Sequence, residues 1–246
     1  MSRIVYGIRP VEELCRARPR DVSVVYVADG HRSPEMDRLI AAARDRAVAV
    51  ELRPRRDVAE LAGAAAHQGV VAVAGPYAYA ELAEILAAGD AGAREDPPLL
   101  LLLDGVTDPH NLGALVRSAE VLGATGVVIP DRRAAPVTGA VVKASAGATE
   151  RVRIARVGNI LRTIDALGER GIRVLGATAE EGEPASAVDL RGPVALVAGA
   201  EGRGLREAVA RRCAGLIAIP QRGAIASLNA SVAGAILLYE ARRQRG

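Results

Sequence analysis

A run of five leucines at residues 99–103 constrains the fold more than any other feature of the sequence. Because the run is apolar on both faces, it predicts a strand that is buried on both sides, as parallel sheets require. Strand-like and helix-like segments alternate from there onward, and this predicts an α/β fold: a parallel sheet with helices on both faces. The predicted strands are residues 126–129, 151–155, 172–177, 194–198 and 215–219, and the predicted helices are 111–122, 158–170, 205–212 and 227–243.

A second, smaller α/β pattern precedes the leucine run. Helices are predicted at residues 8–18, 34–47 and 57–66, and strands at 22–28, 48–52 and 70–74. Residues 77–98 then contain five acidic residues and one arginine and end in Asp96-Pro97-Pro98. Prolines disfavour the continuation of a helix. We therefore expect a small N-terminal α/β domain at residues 1–76, a partly helical linker at 77–98 and the main domain at 99–246.

The composition indicates which partners the chain can bind. The chain has no Phe, no Trp and only five Tyr, which argues against RNA binding by rows of stacked aromatic rings. All of its basic residues except Lys143 are arginines, which bind phosphate bidentately. Cys15 and Cys213 lie far apart without metal-ligand spacing, and no apolar run resembles a signal peptide or a membrane span. These features predict a soluble, cytoplasmic protein without a metal site or a membrane partner, and suit an RNA partner.

The first motif is DGVTDPHNLGALVRSAE, residues 104–120, directly after the leucine strand. Asn111 is predicted to cap the helix that starts there. Arg117 lies off the buried stripe of this helix, and Gly113 lies one turn before it on the same face. The surface in front of the guanidinium is therefore bare backbone, which a large flat group such as a nucleotide could approach.

Two further motifs follow later strands, and ligands of open α/β sheets bind beyond the carboxyl ends of strands. AGAEGRGL, residues 198–205, places Glu201 among Gly199, Gly202 and Gly204. Its glycine order, G-x-x-G-x-G, is not that of a dinucleotide fingerprint. In the third motif, which begins at Ile219, Ser227 is predicted to cap the last helix, whose first turn offers free N–H groups to a ligand. The apolar face of that helix is assigned to Leu228, Val232, Ile236 and Tyr239.

Together the three stretches resemble the three signature motifs of the SpoU (TrmH-type) family of RNA 2′-O-ribose methyltransferases. Asn111, Gly113 and Arg117 match the first motif. The second is matched by Gly199, Glu201 and Gly204, and the third by Ile219-Pro220 with Ser227-Leu228-Asn229. The segments YGIRPVEEL (residues 6–14) and HQGVVA (67–72) resemble the N-terminal substrate-binding domain of the bacterial 23S rRNA guanosine-2′-O methyltransferase subgroup. Gln221 and Arg222 depart from the family pattern, which usually has Met and a small or apolar residue there.

The resemblance implies a C-terminal deep trefoil knot, a homodimer with the active site near the subunit interface, and S-adenosyl-L-methionine as the cofactor. It also implies that backbone groups of the knotted loops hold the cofactor, and that Thr178, which follows the predicted strand 172–177, borders it. The implied cofactor-binding residues are Gly199, Ile219, Leu228, Thr178, Gly204 and Pro220. The implied catalytic residues are Arg117, Asn111, Glu201, Ser227 and Asn229.

The roles within this set are a separate hypothesis. An arginine is a poor base because its pKa exceeds about 12. We therefore expect Arg117 to clamp a phosphate and stabilise the developing alkoxide, Asn111 to orient Arg117 or the ribose, and Ser227 and Asn229 to shape the pocket. Glu201 is then the acceptor for the proton, through water, or the residue that fixes Arg117. His110 is an alternative base, although packing of the loop is the preferred role for it.

Other interpretations stay open at this point. Arg203 and Arg206 are candidate phosphate contacts, and Arg242, Arg243 and Arg245 are expected to favour the dipole of the last helix. A tRNA is the alternative substrate to 23S rRNA. Two alternatives come from other classes of protein. The intact motif residues argue against a non-catalytic RNA-binding relative. The order of the glycines argues against a nucleotide-binding oxidoreductase.

Overall fold

A computed structural model describes residues 2–30, 33–90, 96–179, 182–223 and 227–246. The strands are β1 (Arg3–Tyr6), β2 (Val22–Ala28), β3 (Val50–Arg53), β4 (Val70–Ala74), β5 (Leu99–Asp104), β6 (Gly126–Pro130), β7 (Ile154–Val157), β8 (Arg173–Thr178), β9 (Glu183–Pro184), β10 (Val194–Gly199) and β11 (Gly215–Ala218). The helices are α1 (Ile8–Ala17), α2 (Pro34–Arg44), α3 (Arg55–Ala62), α4 (Leu82–Asp90), α5 (Pro109–Val121), α6 (Gly139–Ala144), α7 (Ile160–Glu169), α8 (Glu207–Arg212) and α9 (Ala230–Arg245).

The chain forms two compact units, and each is described by itself. The first contains Met1–Ala78 together with Pro136–Arg151, and the second contains Tyr79–Ala135 and Val152–Gly246. The expected linker at 77–98 includes α4, whose Ile85 is fully buried in the core of the second unit. The segment 136–151, expected within the main domain, belongs to the first unit by its contacts.

The first unit contains a four-stranded sheet in the order β1-β4-β2-β3. Strands β2 and β3 are parallel, whereas β4 is antiparallel to both β1 and β2. A buried ion pair explains why 136–151 belongs here: Arg3 Nη1 lies 2.9 Å from Glu150 Oε1, and Arg18 Nε lies 3.6 Å from Glu150 Oε2. Both guanidinium groups also lie over the ring of Tyr77. A carboxylate buried this deeply needs such partners.

The second unit contains a seven-stranded sheet in the order β7-β6-β5-β10-β8-β11-β9, and all of its pairings are parallel. Leu100 and Leu102 of β5 pack in one core with Ile85 of α4 and with residues of α7 and α8. Since side chains alternate along a strand, the other leucines point to the opposite face. Helix α9 contacts α5 and β10 there. The expected parallel α/β sheet is confirmed.

Two predicted helix caps are wrong. The cap of α5 is Asp108, whose carboxylate accepts hydrogen bonds from the N–H groups of His110 and Asn111, both at 3.2 Å. The cap of α9 is Asn229, which accepts from Ser231 N at 2.8 Å. In both cases a carboxylate or amide oxygen close to the first turn takes the capping position, and Pro109 suits the first position of α5.

The predicted apolar face of the last helix also differs from the structure. Val232, Ile236 and Tyr239 are exposed, and the residues of α9 buried in this unit include Leu237 and Leu238. Gly234 makes the close approach to α5 possible, since a Cβ there would collide with Leu115 Cδ2. None of the helices in the described residues is both long enough and apolar enough to cross a bilayer.

Candidate active site

A pocket of about 410 Å³ lies at the carboxyl ends of three neighbouring strands, β10, β8 and β11. Its wall includes Thr178 at the end of β8 and Gly199 at the end of β10. Ile219, Ser227 and Leu228, which follow β11, complete this wall. Parallel strands bring their carboxyl ends to one edge of the sheet, so these residues from distant parts of the sequence meet there.

The glycine-rich loop forms one side of the pocket and is closed on itself. Ala200 N donates to Gly204 O at 3.0 Å, and Gly204 N donates to Ala200 O at 2.8 Å. Gly202 and Gly204 have φ angles of 73° and 65°, in the left-handed region that favours glycine. A Cβ at Gly199 would collide with the backbone of Gly204 and with Leu205 N. This hairpin therefore requires its glycines, and it places Glu201 on the pocket wall.

A chain of directed hydrogen bonds joins the three motifs. Asn229 Oδ1 is occupied by the N–H of Ser231, so the Asn229 amide nitrogen faces Asn111 and donates to its Oδ1 at 3.0 Å. Asn111 Nδ2 must then donate, and it does so to Glu201 Oε2 at 2.9 Å. The other oxygen of Glu201 accepts no hydrogen bond from any residue in the described ranges. These two hydrogen bonds fix the Glu201 carboxylate and leave its other oxygen available to a ligand.

The structure brings most of the predicted residues together, with two exceptions. The predicted residues that line the pocket are Thr178, Gly199, Glu201, Gly204, Ile219, Ser227 and Leu228. Asn111 donates a hydrogen bond to Glu201, and Asn229 donates one to Asn111. Pro220 is exposed and does not line it. Arg117 is exposed on α5, does not line the pocket, and forms no hydrogen bond or ion pair within the described part of the chain. The expectation that Asn111 orients Arg117 has no support in these contacts.

Two arginine expectations need correction. Arg206 does not present its guanidinium as a free phosphate contact: its Nε donates to the buried carboxylate of Asp104 at 2.7 Å and its backbone N–H donates to the same carboxylate at 3.0 Å. Arg245 does more than favour a helix dipole. Its guanidinium donates to the carbonyl oxygens of Pro97, Leu190 and Gly192 at 2.6, 3.0 and 2.7 Å. Both arginines are held by acceptors that are far away in sequence.

Cys213, a half-buried free cysteine beside Gly176 of β8, is not a candidate nucleophile. Burial and, to a smaller extent, the negative charge of Asp104 raise the pKa of its thiol to about 11. The thiol therefore stays protonated near neutral pH, and the thiolate is the reactive form. Within the described residues, no group of three or more His, Cys, Asp or Glu side chains is placed to hold a metal ion.

Two family models match the chain. That of the SpoU rRNA methylase family matches residues 98–239, and one described as RNA 2′-O ribose methyltransferase substrate binding matches residues 4–80. The chain belongs to the SpoU rRNA methylase family, which confirms the resemblance that its three motifs indicate.

Individual relatives are similar over nearly the whole chain. The 23S rRNA (guanosine-2′-O-)-methyltransferase RlmB of Pseudomonas syringae pv. tomato is 40% identical over 245 residues, covering 98% of this chain and 95% of the relative. The Escherichia coli K12 protein of the same name is 38% identical over 248 residues, covering 100% of both chains. The crystal structure of the SpoU methyltransferase AviRb from Streptomyces viridochromogenes, in complex with AdoMet, is 27% identical. It superposes with a TM-score of 0.79 over 99% of this chain and 90% of that chain.

Proposed function

We propose that this protein transfers the methyl group of S-adenosyl-L-methionine to the ribose 2′-hydroxyl of a guanosine in 23S rRNA, in the cytoplasm. The observation that carries the proposal is the pocket of backbone loops with Glu201 fixed on its wall by Asn111. The names of the relatives support 23S rRNA over tRNA as the substrate. The AdoMet complex of AviRb supports the cofactor.

The pocket residues fit this cofactor. Pockets for small ligands usually measure about 300–1,000 Å³ and are mostly apolar with a few polar groups, and this pocket has that size and character. Ile219 and Leu228 offer apolar walls, while Gly199 and Gly204 let the ligand approach the backbone closely. When bound, the cofactor supplies an electrophilic sulfonium methyl group. The loops at 198–204 and 217–229, of which residues 224–226 lie outside the described residues, are proposed to form the deep trefoil knot of the family around it.

The chain's own groups then align and activate the ribose. The free oxygen of Glu201 accepts the proton of the 2′-hydroxyl through a water molecule, and general base catalysis of this kind contributes about 10²–10⁴-fold. Asn111 keeps the carboxylate in place, and Asn229 keeps the Asn111 amide oriented. Ser227 shapes the pocket beside them. Arg117 clamps a phosphate of the RNA and stabilises the negative charge that develops on the ribose oxygen.

A homodimer explains where Arg117 acts. Val232, Ile236 and Tyr239 form an exposed apolar stripe on α9 at spacings of four and three residues. On α5, Val121 is 70% exposed and lies one turn after Arg117 on the same face. A second copy that covers these apolar residues would place Arg117 at the subunit interface. The N-terminal domain at residues 1–76 is proposed to bind the RNA, which its match to the substrate-binding model supports.

The test is methylation of 23S rRNA transcripts with labelled S-adenosyl-L-methionine, followed by mapping of 2′-O-methyl positions, with tRNA as the alternative substrate. We expect one methylated guanosine in 23S rRNA, and a loss of about 10²-fold or more in the Glu201→Gln variant. Arg117→Lys distinguishes bidentate binding of a phosphate from an attraction by positive charge alone, because lysine keeps the charge but cannot bind bidentately. Nearly intact single-turnover rates in Arg117→Lys would contradict the clamp, and methylation of tRNA alone would contradict the substrate.

The dimer has its own test. Val232→Asp places a charge in the apolar stripe and is expected to shift the protein from dimer to monomer in sedimentation velocity. Arg162→Asp, on exposed α7 surface, serves as the control for a charge change. A wild-type protein that sediments as a monomer at all concentrations would refute the dimer.

A further inference from the structure

Asp104, the first residue of the first motif, is a buried carboxylate to which the proposed function assigns no role. It is the last residue of β5, lies opposite Gly199 of β10 in the sheet, and is only 1% exposed. Both of its oxygens are occupied by one residue. Oδ2 accepts the backbone N–H of Arg206 at 3.0 Å, and Oδ1 accepts Nε at 2.7 Å and lies 2.6 Å from Nη2.

The position of this pair in the chain suggests what it does. The glycine hairpin starts at Gly199, where β10 ends, and Arg206 follows immediately after Leu205. One end of the hairpin is therefore held by the pairing of β10 with β5. The other end is held by the hydrogen bonds that Arg206 donates to Asp104. Between these two anchors, the backbone hydrogen bonds that close the loop among the described residues are the two that join Ala200 and Gly204.

Glu201 depends on both anchors because it lies at the tip of this hairpin. Its contact with Asn111, at 2.9 Å, joins side chains that are 90 residues apart in sequence. Three of the seven residues in the loop 199–205 are glycines, which cost more conformational entropy to hold in place than any other residue. A loop of this composition needs an external anchor if its tip is to stay within hydrogen-bonding distance.

We propose that the Asp104–Arg206 pair is a positioning device for the methyl-transfer reaction: it fixes the C-terminal end of the glycine hairpin and so holds Glu201 at Asn111. The inference rests on the proposed function, which assigns Glu201 its role. Neither Asp104 nor Arg206 touches the reacting atoms. Both are positioning residues.

The variant that tests this is Asp104→Asn. Asparagine has the same shape, but its amide has one acceptor oxygen and places N–H donors where the second oxygen was. It can therefore not accept from both the backbone N–H and the guanidinium of Arg206. Arg206 is nearly half exposed and can be hydrated instead, so the fold should survive. The matched control is Asp165→Asn, which breaks the exposed ion pair of Asp165 with Arg212, 3.3 Å apart, in the same unit.

A double-mutant cycle with Glu201→Gln gives the decisive rate measurement. Misplacing a catalytic group by about 1 Å can cost about 100-fold. We expect Asp104→Asn to lower the single-turnover rate at saturating cofactor and RNA by about 10- to 100-fold. In the Glu201→Gln background the same change should cost less than about twofold, because the group it positions is already lost. Equal factors in both backgrounds would overturn the proposal, as would an unchanged rate in Asp104→Asn.

Backbone amide hydrogen exchange gives a second readout that needs no activity. The N–H groups of Ala200 and Gly204 close the hairpin, so their exchange should become about 10-fold faster or more in Asp104→Asn and stay unchanged in Asp165→Asn. Unchanged exchange in Asp104→Asn would overturn the proposal whatever the rates are. If the wild-type protein methylates no RNA but the exchange result holds, the proposed function fails, while the anchoring of the hairpin by Asp104 is upheld.

Discussion

Replacing Gly199 with alanine is expected to abolish tight binding of S-adenosyl-L-methionine without unfolding the protein. The added Cβ would lie closer than 3.0 Å to three backbone atoms, namely the carbonyl carbon and oxygen of Gly204 and the nitrogen of Leu205. Backbone atoms cannot swing away as the end of a flexible side chain can. The hairpin must therefore open, and opening it breaks the two hydrogen bonds between Ala200 and Gly204.

The size of the effect follows from those losses. Two backbone hydrogen bonds contribute about 1 kcal/mol each, and overpacking costs at least about 1 kcal/mol. If the cofactor binds only the closed hairpin, its binding becomes less favourable by about 3 kcal/mol. This corresponds to an affinity about 100-fold weaker, since each 1.4 kcal/mol is about tenfold.

Isothermal titration calorimetry measures the affinity, and a thermal melt checks the fold. Gly168→Ala is the matched control: the same Cβ is added near the end of α7, where it meets nothing within 4 Å. It should leave the affinity unchanged and stabilise the protein by about 0.5–1 kcal/mol, because alanine favours a helix. Binding by Gly199→Ala within about twofold of the wild type would refute the reasoning.

Three further outcomes are expected. Asn229→Asp keeps an acceptor to cap α9 but loses the amide that donates to Asn111, so methyl transfer should fall at least about tenfold while the melting temperature stays within a few degrees. Arg245→Ala removes a guanidinium bound to four carbonyl oxygens and should lower the free energy of unfolding in urea by about 1–3 kcal/mol. Arg242→Ala, which breaks an exposed ion pair with Asp96, should lower it by less than about 1 kcal/mol. Cys213, whose pKa burial raises from 9.0 to about 11, should form about 100-fold less thiolate at pH 8 than an ordinary thiol, so iodoacetamide should label it quickly only after unfolding.

The same shift of the Cys213 pKa has a consequence for stability. Above pH 9 the unfolded chain loses the thiol proton before the folded chain does, so the folded state binds more protons there. Stability should therefore fall as the pH rises from about 9 to about 11. In Cys213→Ser, the free energy of unfolding should fall less steeply between about pH 9 and pH 11. Equal slopes of this free energy against pH in both proteins would contradict the raised pKa of Cys213.

The local pattern of the sequence predicted the parallel sheet and the edge at which the site lies. The leucine run became β5, and the glycine loop and the segment that ends in Asn229 both follow neighbouring strands, as the alternation of elements predicts. Family resemblance added Glu201, Asn111 and Asn229 as a group, and the hydrogen bonds between them agree with that grouping. Arg117 has no hydrogen-bonded or ion-pair partner among the described residues, so its grouping with them rests on the sequence motif alone.

What the sequence by itself determined is most of the helices and strands, since the period of its apolar residues and its glycines act through contacts within a few residues. Strands β1 and β9 and helix α6 were not predicted. Only the tertiary structure decided the partners of the charged and polar groups. Arg206 binds Asp104 across 102 residues, Arg3 binds Glu150 across 147, and the apolar stripe of α9 is exposed in the single chain although its spacing is that of a buried face. The physical reason is that the partner of a guanidinium or the cover of an apolar face depends on which elements become neighbours. Sequence period carries no information about that choice.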